Sequence, residues 1–195
     1  MFVSSDILLN IYYCLVYSHL SYGIEAWGSA CSTETNKLLV LQKKAVRILT
    51  GNQYFQIYGE PAGPLPSSEP LFSRLGLLKF VDIFKFSISK FVYSTLCMTN
   101  PQVFSNWFTY IHDMHNHATT SSASISRTNF FDTGTEEPSY SLYICGSRLV
   151  TYGDRLIKVC GPRIWNNIPF NIQDAVSIMI FKEKLKNKFL LEYGI

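Results

Sequence analysis

The chain has 195 residues, of which 47% are hydrophobic and 16% charged; this excludes a disordered polymer and supplies enough apolar surface for one or two compact units. Its net charge of +3 is mild, yet it divides as +2 over residues 1–100, −3 over 101–140 and +4 over 141–195, so an acidic polar middle separates two basic ends. The five cysteines are odd in number and widely scattered, which points to a reducing compartment rather than a disulfide framework; three lie in apolar runs and are expected as small core residues.

Asp6 precedes the first apolar run and no Lys or Arg does, so a secretory signal is not expected. Residues 7–24 are interrupted by Asn10, Ser18, His19 and Ser21. Residues 76–98 hold Lys79, Asp82, Lys85 and Lys90, and each charge costs about 2.5–3.5 kcal/mol near a bilayer centre. Both runs therefore read as amphipathic helices of an intracellular protein, not as membrane spans. Because helix-like sequence starts almost at Met1, the chain reads as the continuation of a larger ancestral protein.

In chain order, Ser5 or Asp6 caps a first helix running toward Trp27 and Gly28, with Leu8, Ile11, Tyr12, Leu15 and Val16 on its buried face. A second helix starts near Ser32 or Thr33 and stops at Gly51, with Leu38, Leu41, Ala45 and Ile48 sharing an apolar face. At about 100° per residue, Lys37, Lys43, Lys44 and Arg47 fall within roughly 120° on the other side, with no acid inside that arc. A solvated face and a phosphate-tracking rail both fit this pattern.

Residues 52–70 form a breaker-rich connector. Pro70 then opens a short helix over Leu71, Phe72 and Leu75 that ends at Gly76, and a long helix follows with Phe80, Ile83, Phe84, Ile88, Phe91 and Val92 buried. Asn100 and Pro101 predict a further helix carrying Val103, Phe104, Trp107, Phe108 and Ile111. Residues 113–140 read as a polar loop, and Ser141 to Val159 alternates like a short β-hairpin. The stretch Gly161-Pro162-Arg163-Ile164-Trp165-Asn166-Asn167-Ile168-Pro169 predicts a turn, an apolar anchor and a stop. A last helix from Ser177 carries Ile178, Phe181, Leu185 and Phe189 on one side, flanked by Lys182, Lys184, Lys186 and Lys188.

Chemistry-bearing constellations are sparse. His112, His115 and His117 with Asp113 have metal-ligand character, but no cysteine pair lies near them and they read as loop histidines, so no metal or cofactor is expected. No Asp-Asp occurs, and Asp6, Asp82, Asp113, Asp132, Asp154 and Asp174 stand apart, which leaves no pair for two-metal phosphoryl transfer. Tyr12, Tyr13, Tyr17, Tyr22 and Trp27 have the chemistry to stack on nucleotides, but at helical spacing they read as core.

Four ordered segments nevertheless carry a resemblance. They are Tyr12 through Gly28; Leu38 through Gly51 with its Leu41-Gln42-Lys43-Lys44-Ala45-Val46-Arg47-Ile48; Leu75 through Phe80; and Tyr152 through the Gly161–Pro169 stretch to Lys186. Together they resemble the region downstream of the polymerase palm in reverse transcriptases of non-LTR (LINE-type, jockey-like) retrotransposons. The resemblance implies a helical, thumb-like region; with the elements read above, the chain is expected to be mainly α-helical with a small β-hairpin, divided as 1–51 thumb-like helical pair, 52–70 linker, 71–112 helical segment, 113–140 polar loop and 141–195 hairpin plus C-terminal helices. It also implies an RNA/DNA template–primer duplex as partner; the cationic arc of the second helix then makes Lys37, Lys43, Lys44 and Arg47 the expected backbone contacts, with Arg163, Lys182, Lys184 and Lys186 as secondary candidates. An upstream palm would be a second partner.

The palm's Asp-Asp motif and the endonuclease are not in this sequence, so no catalytic residue carries over and the chain is not expected to be an enzyme by itself. Where the family tends to show His-Asn-Tyr-Asn-Thr-Arg, the chain reads His115-Asn116-His117-Ala118-Thr119-Thr120; where Arg often precedes Gly-Pro, it has Cys160. Each change removes a phosphate contact, as a decayed element copy would.

Overall fold

The computed structural model describes residues 4–50, 67–114, 140–146 and 153–193. The fold is mainly helical and clusters into two compact units, Met1–Ser87 with Lys186–Ile195, and Ile88–Leu185. No described helix is long and apolar enough to cross a membrane.

In the first unit, α1 (Ser5–Ile11) continues through a π-helical stretch, Tyr12–Tyr17, into α2 (Ser18–Ser21). The wider π turn breaks the 3.6-residue spacing on which the predicted face rests. Tyr12 and Leu20 are buried, whereas Ile11 and Leu15, expected inside, are exposed. The helix does not run on to Trp27. Gly23, at φ +58°, breaks it before the single turn α3 (Ile24–Trp27). Gly28 follows because a Cβ there would meet Phe84 Cδ2 at 2.5 Å and the Ile24 carbonyl at 2.6 Å.

Helix α4 (Ser32–Thr50) forms as predicted, but its buried face is Gln42, Val46 and Thr50. Leu41 and Ile48, predicted inside, are 59% and 72% exposed. The reason is a polar hub: Gln42, 1% exposed, donates to Tyr12 Oη and to the Leu78 carbonyl, both at 2.9 Å, while its Oε1 accepts from the Phe80 N–H at 2.7 Å. A buried amide with three partners is as good a core residue as a leucine. Around it pack Tyr12, Val46, Leu71, Phe72, Leu77 and Tyr193.

Helix α5 (Glu69–Arg74) starts with Pro70 in its first turn and buries Leu71 and Phe72, as predicted. Its end closes by two backbone bonds, Leu77 N–H to the Phe72 carbonyl and Gly76 N–H to the Ser73 carbonyl, with Gly76 at φ +62°. Helix α6 (Phe80–Leu96) then buries Phe80, Ile83, Ile88 and Val92. Phe84 and Phe91, also predicted inside, are half-buried. The C-terminal Tyr193 returns to this unit, its hydroxyl donating to Asp82 Oδ2 at 2.6 Å and accepting from the Lys79 N–H at 3.0 Å.

In the second unit, Asn100 looks backward instead of capping a new helix. Its amide donates to the Phe91 carbonyl (3.1 Å) and to Thr95 Oγ1 (2.8 Å), closing the end of α6. The predicted helix over 101–111 is therefore reduced to one 3₁₀ turn, Gln102–Phe104, and the single turn α7 (Ile111–Met114). No β-hairpin occurs among the described residues: Tyr110 and Leu142 form one antiparallel bridge, and the segment expected to hold the second strand is a 3₁₀ turn, Gly153–Arg155, followed by α8 (Ile157–Asn166).

Gly161 and Pro162 consequently lie inside a helix rather than at a turn. A Cβ at Gly161 would stand 3.1 Å from Phe108 and 3.2 Å from Val92, so glycine permits the close approach of these elements. Pro169 precedes α9 (Phe170–Gln173), and α10 (Ile178–Leu191) buries Phe181, Leu185 and Phe189 as predicted. Tyr93 stacks on Phe181 (4.5 Å between centroids, 22°), and Trp165 stacks on the same ring at 5.9 Å. The cysteines are not core residues: Cys14, Cys31 and Cys97 are exposed, Cys145 and Cys160 half-buried, and all five are free thiols.

Candidate nucleic-acid interface

Helix α4 carries the predicted cations over an unbroken run of 19 residues, but their surroundings differ. Lys37 is exposed and its Nζ sits 2.8 Å from Glu34 Oε1, a pair one helical turn apart. Such an exposed pair holds together by only about 0.3–0.5 kcal/mol and yields readily to a stronger anion. Lys44 is exposed. Lys43 and Arg47 are half-buried at the edge of the helix's inner face.

The charge of Lys43 acts on one of the protein's own carboxylates, Glu69. Glu69 accepts a 2.6 Å hydrogen bond from Lys79 Nζ, and this bond, then the Lys79 charge, hold its carboxyl below the usual range; burial opposes them, and Lys43 adds a smaller lowering. Lys79 Nζ also stands 4.1 Å above the ring of Tyr193. The arc is thus graded, with Lys44 and Lys37 on the solvent side and Lys43 and Arg47 toward the fold.

The solvent ridge of α4 is not purely cationic. Lys37, Leu41, Lys44 and Ile48 recur at intervals of four, three and four residues, so charged and aliphatic side chains alternate along one line. The sequence pattern alone assigns Leu41 and Ile48 inward, and only the Gln42 hub reveals the rotation. The Glu34–Lys37 pair was readable from its spacing; the Lys79–Glu69 pair, ten residues apart across a helix start, was not.

The secondary cations differ in their surroundings. Arg163 pairs with Asp154 at 3.0 Å, Lys184 donates to the Asn171 carbonyl at 2.9 Å, and Lys182 is exposed, all within the second unit. Lys186 is half-buried and belongs to the first. His115 and His117 lie outside the described residues, and among those described no cluster of three His, Cys, Asp or Glu side chains is arranged to hold a metal. Comparison of the chain with known protein families, with curated proteins and with solved structures finds no match in any of the three.

Proposed function

We propose that the chain corresponds to the post-palm region of a non-LTR retrotransposon reverse transcriptase, acting inside the cell, and that by itself it contacts the backbone of an RNA/DNA template–primer duplex without reading sequence or catalysing a reaction. The observation that supports this reading most is the unbroken run of α4, along which Lys37, Lys43, Lys44 and Arg47 span about 15 Å, with Glu34 paired to Lys37 at its start. At about 3.4 Å per charge on one strand, that run matches about four phosphates. Contacts of this kind position a duplex and carry no sequence information.

The test is anisotropy of a labelled RNA–DNA hybrid across a salt series. Four neutralised phosphates give a slope of log K against log salt of about −3.6, and Lys44→Gln flattens it by about 0.9. Binding that ignores salt, or a slope unchanged in Lys44→Gln, sinks the reading. Primer extension by the chain alone is expected to be blank.

The exposed Leu41 and Ile48 favour a second reading, in which the same helix docks on another protein. Leu41→Ser with Ile48→Ser, which adds no charge to the cationic ridge, separates the two. Backbone binding survives the loss of these aliphatic side chains, and protein docking does not.

A further inference from the structure

The Gly161–Asn166 stretch has a task that the nucleic-acid reading leaves unused. Residues 140–146 lie beside α8, and at least five of the eight main-chain polar groups of Tyr140–Tyr143 are held. Trp165 Nε1 donates to the Tyr140 carbonyl at 3.0 Å. Asn166 takes both sides of Leu142, its Oδ1 accepting from the Leu142 N–H at 2.8 Å and its Nδ2 donating to the Leu142 carbonyl at 3.0 Å. On the opposite edge the Ile111 N–H donates to the Ser141 carbonyl at 3.0 Å, and the Tyr143 N–H donates to the Thr109 carbonyl at 2.9 Å.

Pro162 contributes by what it lacks. Without an N–H it cannot bond the carbonyl four residues back, that of Lys158, and the Cys145 thiol lies 3.6 Å from that oxygen. Among the side chains of the segment, those of Leu142 and Tyr140 are seated against the unit. Leu142 is 0% exposed, and the ring of Tyr140 stacks on Phe170 at 5.2 Å and 19°. Tyr143, between main-chain contacts, points to solvent.

This is how a groove holds a peptide: edge bonds and an amide clamp on the backbone, one deep aliphatic pocket and one aromatic platform. We infer that unit 2 contains a peptide-binding groove, lined by Thr109, Ile111, Trp165, Asn166 and Phe170, and that residues 140–146 are its ligand in cis. Its ligand class is an extended peptide with an aliphatic residue in the Leu142 place and an aromatic residue two positions earlier. Tethered in the same chain, the native segment competes at millimolar effective concentration, so the groove admits a second peptide only when this strap is released. The inference does not depend on the nucleic-acid reading and survives its failure.

A dye-labelled peptide spanning residues 140–146, titrated against the full-length chain by anisotropy, tests it. Leu142→Asp puts a carboxylate into a fully buried site, ejects the strap and opens the groove. The folded variant is expected to bind the peptide at least about tenfold more tightly than the wild type. Adding Asn166→Ala is expected to weaken that binding about tenfold, through two lost hydrogen bonds.

No binding by folded Leu142→Asp, binding equal to the wild type, or indifference to Asn166→Ala overturns the inference. Should Leu142→Asp not fold, hydrogen exchange of the wild type decides. A strap that releases alone lets the Leu142 and Tyr143 amides exchange roughly a hundredfold faster than those of Phe181 and Leu185, and equal rates overturn it.

Discussion

In the unit built from residues 1–87 and 186–195, functional groups that prefer water sit in the interior: the Gln42 amide, the Asp82 carboxylate and the hydroxyls of Tyr12 and Tyr193, each with a partner. In residues 88–185 the buried polar groups among those described are fewer, the hydroxyls of Ser89, Thr95 and Tyr93, the last donating to the Ala175 carbonyl at 2.6 Å, and the centre is a stack of Tyr93, Phe181 and Trp165. The first interior is held in register by directional bonds, whose loss strands a desolvated group. The second is held by area and shape, whose loss leaves a void. The two should therefore fail under different insults.

Trp165→Ala is the strongest challenge, expected to cost about 3–5 kcal/mol in chemical denaturation because it removes the stack and the indole bond to Tyr140 together. Gln42→Ala should follow at about 2–3 kcal/mol, since the Tyr12 hydroxyl, the Leu78 carbonyl and the Phe80 N–H lose their partner at once. Should Gln42→Ala prove harmless, the account of the first interior as bond-directed is wrong.

Alkaline pH tests the first unit next. Burial, then the bond to Asp82 and its charge, push the Tyr193 hydroxyl well above the usual tyrosine range. A raised folded-state value means that this stability is fully present below about pH 10, where both states are protonated, and drains away above it as the unfolded chain ionises first. Tyr193→Phe should cost about 1–2 kcal/mol at neutral pH and soften the alkaline loss. Identical alkaline profiles for the two proteins would remove Tyr193 as the cause.

Local, periodic features were legible in the sequence. The Phe181–Leu185–Phe189 stripe, the Pro70 start and the Gly76 stop all depend on residues within two turns of one another, and all three are found. What was not legible depended on distant partners or altered spacing. The inner face of α4 turns on Gln42, a polar residue whose welcome inside comes from Tyr12, Leu78 and Phe80, at least thirty residues away. The first helix defeats a 3.6-residue reading through its π stretch. Asn100 has the right chemistry for a helix start but spends it on the preceding helix. For the candidate interface, the four cations of α4 are plain in the sequence as residues, but their grading in exposure is not, because it follows from the turning of α4 about Gln42 in the fold.

One position has a consequence for engineering. Helix α6 stops with Met98 at φ +56°, the one left-handed non-glycine residue among those described, while the Thr99 N–H reaches back to the Ser94 carbonyl at 2.9 Å. That bonding pattern normally has glycine at its hinge, and a side chain there strains against its own backbone. Met98→Gly should raise the melting point, by a gain of about 1 kcal/mol, the smallest of the effects foreseen. Natural selection has left this much head-room unclaimed on a solvent-facing methionine.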